Sequence, residues 1–75
     1  MSAGEVAFRY GNPPGPQEMR ALDSVRDVYG IRRIAFNEKE HTIRVEYDAT
    51  RLKEDVVAAL LRRAGLNLCG KLALA

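Results

Sequence analysis

The chain predicts an α+β fold, a four-stranded antiparallel sheet with two helices packed on one face, in the order βαββαβ. Three observations point there. Apolar residues alternate at period two in short runs near residues 6–10, 34–36 and 43–47, and they recur at helical spacing over residues 19–29 and 56–64. Glycine and proline interrupt the pattern between most of these runs.

The elements follow in order. Val6, Phe8 and Tyr10 alternate with Ala7 and Arg9, the mark of a half-buried first strand. Gly11-Asn12-Pro13-Pro14-Gly15-Pro16 stops it, since neither a helix nor a sheet ladder runs through so many breakers. Pro16 suits the first turn of a helix, where its missing N–H costs nothing, and Glu18 complements the positive end of the helix dipole. Met19, Leu22, Val25, Val28 and Tyr29 form the apolar stripe of this helix, which Gly30 is expected to end. Ile34 and Phe36 share a face of the second strand, and Ile43, Val45 and Tyr47 a face of the third. Asn37-Glu38-Lys39-Glu40-His41 joins the two as a hairpin. After Asp48-Ala49-Thr50, a second helix places Val56, Val57, Leu60, Leu61 and Ala64 on one stripe and runs until Gly65, with Arg62 and Arg63 at its negative end. Leu68, Leu72 and Leu74 at alternate positions read as a last strand interrupted by Gly70.

Each helix joins two strands that must run parallel, so both crossovers are right-handed and both helices fall on one face. That arrangement is a ferredoxin-like sandwich. Its other sheet face is expected to carry Arg9, Thr42, Arg44, Glu46, Cys69 and Lys71, polar enough to meet water.

Composition bounds the function. Seventy-five residues, 47% of them apolar, build one modest core, so residues 1–75 are expected to form a single domain. Twelve basic and ten acidic side chains interleave to a net charge of +2, without the positive stripe that nucleic-acid phosphates attract. No apolar run approaches the ~20 residues that span a bilayer. The first residues do not resemble a secretory leader, so a cytoplasmic setting is expected, as a free protein or as the cytoplasmic module of a membrane protein. One cysteine, Cys69, forms no internal disulfide, in keeping with a reducing compartment.

Three short stretches carry a family resemblance: Gly30-Ile31 after the first helix, Val45-Glu46-Tyr47-Asp48 closing the third strand, and Ala64-Gly65-Leu66 after the second helix. From Tyr10 to Leu66 the chain resembles the heavy-metal-associated domains of copper chaperones and of the N-terminal modules of metal-pumping P-type ATPases. The resemblance implies the fold above and places that family's metal loop, Gly-Met-x-Cys-x-x-Cys, on Gly11 to Gln17. Here Asn12 stands for the Met, Pro14 for the first Cys and Gln17 for the second. Monovalent copper wants soft thiolates, and Zn²⁺ wants thiolate, imidazole or carboxylate. Proline offers no donor and a Gln amide is a poor one.

The leading expectation is therefore a non-catalytic protein-interaction or regulatory module that has lost its cysteine metal site and holds no cofactor. Its docking patch would comprise Gly11, Asn12, Pro13, Pro14, Gly15, Pro16 and Gln17, with Leu66 and His41 beside them. Its partner would be another protein domain, in the family's terms a metal-transporting P-type ATPase or a chaperone, and the module itself a monomer or weak dimer. The alternative is a genuine heavy-metal domain that holds copper or zinc with Cys69 and His41, or through a Cys69 from each of two chains, although two protein ligands seldom hold a metal tightly. The plain reading makes His41 a solvated turn residue, Cys69 a small strand filler and the prolines turn stiffeners.

Other classes fit less well. One His, one Cys and scattered carboxylates offer no nucleophile, base and orienting group, so no enzyme is expected. Asp23/Asp27 and Glu54/Asp55 read as solvated faces and helix-dipole partners. Gly11-x-x-x-Gly15 lacks the following Gly-Lys-Ser/Thr of a phosphate loop. An RNA-recognition domain shares the element order but displays aromatics on its open sheet face, whereas Phe8, Tyr10, Phe36 and Tyr47 are in phase with the buried aliphatics. A small-ligand regulatory domain formed by sheet-to-sheet dimerisation is a third possibility.

Overall fold

Alternation puts one face of each strand under the helices, and the computed structural model, which describes residues 3–72, shows which residues use it. The elements are β1 (Ala3–Tyr10), α1 (Pro16–Arg26), β2 (Ile31–Asn37), β3 (Thr42–Asp48), α2 (Glu54–Arg63) and β4 (Leu68–Leu72). They build an α+β fold with one four-stranded sheet in the order β2-β3-β1-β4, every neighbouring pair antiparallel. Strands β1 and β2 both oppose β3 and so run parallel to each other; β3 and β4 stand in the same relation through β1. Val6, Phe8, Ile34, Ile43, Val45 and Tyr47 enter one core with Leu22 and Val25 of α1 and Val57, Ala58 and Leu61 of α2, which places both helices over the same sheet face. No helix among the described residues is long and apolar enough to cross a membrane.

Two β-bulges change which side chains point inward. In β2, Ile31 lies opposite Tyr47 and Arg33 opposite Glu46, so Arg32 is the extra residue and Ile31 shares the inner face with Ile34 despite the odd spacing. In β4, Leu68 lies opposite Tyr10 and Gly70 opposite Arg9, so Cys69 is the extra residue. The expected alternation of Leu68 and Leu72 on one face is thereby corrected. Leu68 packs against the core, whereas Leu72 lies opposite Ala7 on the open face. Lys71, expected on that open face, lies opposite Phe8 instead, and its ammonium pairs with Glu54 of α2. Leu74 lies outside the described residues. On the open face, Arg33 pairs with Glu46 at 3.9 Å and Arg44 with Glu5 at 4.0 Å, and all four side chains are exposed enough that these pairs add little stability.

Helix α1 begins as its sequence dictates. Pro16 takes the first position, and the Gly15 N–H donates to Glu18 Oε1 at 2.8 Å. It ends at Arg26 rather than at Gly30. The last turn tightens, with the Asp27 N–H bonding Ser24 O and the Val28 N–H bonding Val25 O, and Tyr29 rotates out of the expected stripe to 72% exposure. Gly30, at φ 102°, turns the chain into β2. A Cβ there would lie 3.0 Å from Leu52 Cδ1.

In α2 the buried stripe centres on Val57, Ala58 and Leu61, which leaves Val56, expected inside, 41% exposed. The helix closes as a Schellman motif. The Gly65 N–H bonds Arg62 O, the Leu66 N–H bonds Leu61 O, Gly65 takes φ 104°, and Leu61 and Leu66 are both buried.

Candidate functional site

The segment 11–17 begins where β1 leaves the sheet. Backbone bonds tie this end of the domain together: the Tyr10 N–H donates to His41 O at 2.9 Å and the Gly11 N–H to Asn67 O at 2.9 Å. The proline loop, the β2–β3 hairpin and the turn after α2 thus meet at one end of the sheet. Gly11 sits tightly there, since a Cβ would approach Asn67 Nδ2 to 3.1 Å and Cys69 Sγ to 3.3 Å. Gly11, Asn12, Pro13, Pro16 and Gln17 are exposed, and Pro14 and Gly15 half-buried. Leu66 is only 4% exposed. Its place in the Schellman contact turns it inward, so it supports this end from below and is corrected as a surface residue.

Beside the loop lies a cleft of about 310 Å³, lined by Tyr10, Pro13, Pro14, Met19, Phe36, Glu38 and His41. The four-residue hairpin turn that supplies Glu38 and His41 is shaped by the Asn37 side chain, whose Oδ1 accepts the Glu40 N–H at 3.1 Å. His41 ends that turn in the left-handed region at φ 53°, uncommon for a residue with a Cβ. Its ring stacks on Tyr10, with centroids 5.6 Å apart and planes 8° from parallel, and Tyr10 meets Phe36 edge-to-face at 6.0 Å. Burial raises the Tyr10 pKa above the usual phenol value, and the Glu38 carboxylate raises it further. Apolar walls, two prolines, a thioether and one carboxylate make a surface suited to a partner's side chains. Glu38, Met19 and Phe36 are members that sequence reading does not assign to the site; the signal for Glu38 is its place in the hairpin beside His41.

His41 and Cys69 lie on opposite flanks of β1, His41 just before β3 and Cys69 in β4. The His41 ring rests on Tyr10, whereas the Cys69 thiol is exposed, 3.8 Å from Asn67 O. Among the described residues, no three His, Cys, Asp or Glu side chains gather as metal ligands would.

At the other end of the sheet the one buried charged group among the described residues is Asp48, 5% exposed. Oδ1 accepts the Thr50 N–H at 3.0 Å and the Thr50 hydroxyl at 2.6 Å, and Oδ2 faces Arg51 Nε at 3.3 Å. Its backbone N–H bonds Gly30 O at 2.7 Å, and its carbonyl accepts from Arg51 and Leu52. The Thr50 hydrogen bonds, with help from Arg51 and Arg32, lower the Asp48 pKa below the usual carboxylate value. These contacts hold Asp48 in its turn and favour its charged form.

No family model matches the chain, and neither the curated proteins nor the solved structures contain a match to it.

Proposed function

We propose that this chain is a non-catalytic protein-interaction module, a relative of the heavy-metal-associated domains in which the loop at Gly11–Gln17 docks a partner and no longer holds a metal. The strand order β2-β3-β1-β4 is compatible with the ferredoxin-like sandwich of that family. The residues of the resemblance do scaffold work that such a fold needs: Gly30 and Gly65 take positive φ at two element junctions, and Asp48 closes the turn before α2.

The observation that carries the reading is the cleft between proline loop and hairpin. Pro13, Pro14 and Met19 wall it on one side and Phe36, Glu38 and His41 on the other, immediately beside the loop whose cysteine positions hold Pro14 and Gln17. Prolines stiffen the rim before a partner arrives, which lowers the ordering cost of binding. The partner in this reading is another protein domain of a metal-transport system, a P-type ATPase or a chaperone. The setting is cytoplasmic.

A photoreactive residue at Asn12 or Gln17 should yield the same cross-linked metal-transport protein, and one at Arg44 on the open sheet face should not. Adducts from Arg44 alone would overturn the docking site. A second reading rests on the exposed Cys69 thiol: a copper or zinc site built with His41 or shared by two chains. Titration of native and Cys69→Ser chains with monovalent copper and with zinc separates the two. The docking reading expects neither chain to bind with a dissociation constant below about 1 μM. Tight binding by the native chain that the Cys69→Ser chain loses would establish the second reading instead.

A further inference from the structure

The end of the domain remote from the proline loop carries a second hollow, of about 390 Å³, lined by Arg26, Tyr29, Arg32 and Arg51 together with Asp27 and Asp48. Three arginines converge on it from three separate places. Arg26 is the last residue of α1, Arg32 is the extra residue of the β2 bulge, and Arg51 lies in the turn between β3 and α2. We infer that this hollow is a binding site for a phosphomonoester, with the phosphate held by arginine forks; the inference does not rest on the docking reading above.

The electrostatics favour an anion. Of the two acids, Asp48 has its oxygens engaged by Thr50 and Arg51, so its charge and that of Arg51 largely offset each other. With Arg51 matched by Asp48, the lining sets the exposed Asp27 against Arg26 and Arg32, an excess of one positive charge.

Arg51 is already in position. Its Nε faces Asp48 Oδ2 at 3.3 Å, and its guanidinium carbon lies 4.3 Å from the centre of the Tyr29 ring. An ion pair on one side and a ring against the plane fix the fork. The pair engages Nε and leaves the two Nη groups, four N–H donors, for another acceptor. Planar paired donors are what a tetrahedral oxyanion takes from arginine, and a fork held in advance loses less freedom on binding than a lysine would. Arg26 adds a second donor. Its pairing with Asp23 is at 3.9 Å between side chains 45% and 73% exposed, a contact that a phosphate displaces at little cost. Tyr29, 72% exposed, is the most exposed large apolar side chain among the described residues, and it stands beside these charges rather than under the helices.

The phosphate could belong to a small metabolite or to a phosphorylated side chain of a protein. Inorganic phosphate, phenyl phosphate and a phosphotyrosine peptide, each titrated into the ¹⁵N-labelled chain, separate these sources. The expected result is saturable shifts of Val28 to Arg32 and Arg51, with a dissociation constant for phenyl phosphate on the order of 1 mM, weakening as salt rises. Arg26→Gln and Arg51→Lys should each weaken it about tenfold, the loss of one charge-assisted bond. Arg26→Gln removes no contact of the core and keeps the test sound if Arg51→Lys loosens the turn. Equal affinity for phenyl phosphate and inorganic phosphate would assign the site to the free ion or a small ester, and tighter binding of the peptide to a phosphoprotein. Absence of shifts at concentrations on the order of 20 mM would overturn the inference. So would shifts centred on Arg62 and Arg63, or affinities unchanged in both variants.

Discussion

The two ends of the sheet solve opposite problems. At the Asp48 end a buried acid is consumed by hydrogen bonds from Thr50 and an ion pair with Arg51, and the backbone of Gly30, Arg51 and Leu52 closes around it. At the proline end the chain is held by a few backbone bonds, to His41 and Asn67, while Pro13, Pro16, Gln17 and His41 face outward. A polar group whose bonding capacity is used up belongs to the scaffold. Groups kept rigid and outward with capacity unspent are where a partner is to be sought, and the two Nη groups of Arg51 satisfy that test as the cleft at the other end does.

Several substitutions can break or sharpen this contrast. The largest effect is expected where the proline end rests on the core. Leu66→Ala should destabilise by about 3 kcal/mol in urea unfolding, since it empties a buried site against Leu61. A cost near zero would return Leu66 to the surface and undo its correction. Gly30→Ala at the opposite end should cost about 2 kcal/mol, because the positive φ strains any L side chain and the added Cβ meets Leu52. No loss there would mean that the turn is looser than its hydrogen bonds imply.

Acid separates the ends without a substitution. The folded-state pKa of Asp48 is lowered from 3.8, so its stabilisation is complete above that value and lost as pH falls through the folded value. Thermal midpoints measured downward from pH 5 should therefore fall for the native chain and show a shallower acid limb in Asp48→Asn. Identical limbs would show that the Thr50 bonds do not favour the charged form. The smallest effect is expected at the loop. Pro13→Ala and Pro14→Ala should each cost only about 0.5 kcal/mol of stability, by loosening the unfolded chain, yet weaken cross-linking from Asn12. A larger stability loss with unchanged cross-linking would move the prolines to the scaffold side of the contrast.

Much of the scaffold is legible in the chain because period-two and helical patterns report burial directly. Val6, Phe8, Ile43, Val45, Leu22 and Leu61 all lie where their spacing places them. The departures cluster where local geometry breaks the period. One extra residue at Arg32 and one at Cys69 invert the faces of the strand residues beyond them, which is why Lys71 turns inward; Ile31 and Ile34, apolar and three apart in one strand, are the visible sign of the first. The end of α1 is hidden because Val28 and Tyr29 continue the helical spacing while their hydrogen bonds do not. The proline loop can be read from the chain. The arginine hollow cannot, because residues 26, 32 and 51 are brought together only by tertiary structure.

The irregularities in the sheet have one more consequence. Strands β2 and β4 are its two outer strands, and each carries a bulge. A kinked border offers a neighbouring molecule a poor template for zipping on another strand, the first step toward filaments and amyloid. Removing the extra residue at Arg32 or Cys69 would straighten that border and should make self-assembly at high concentration easier.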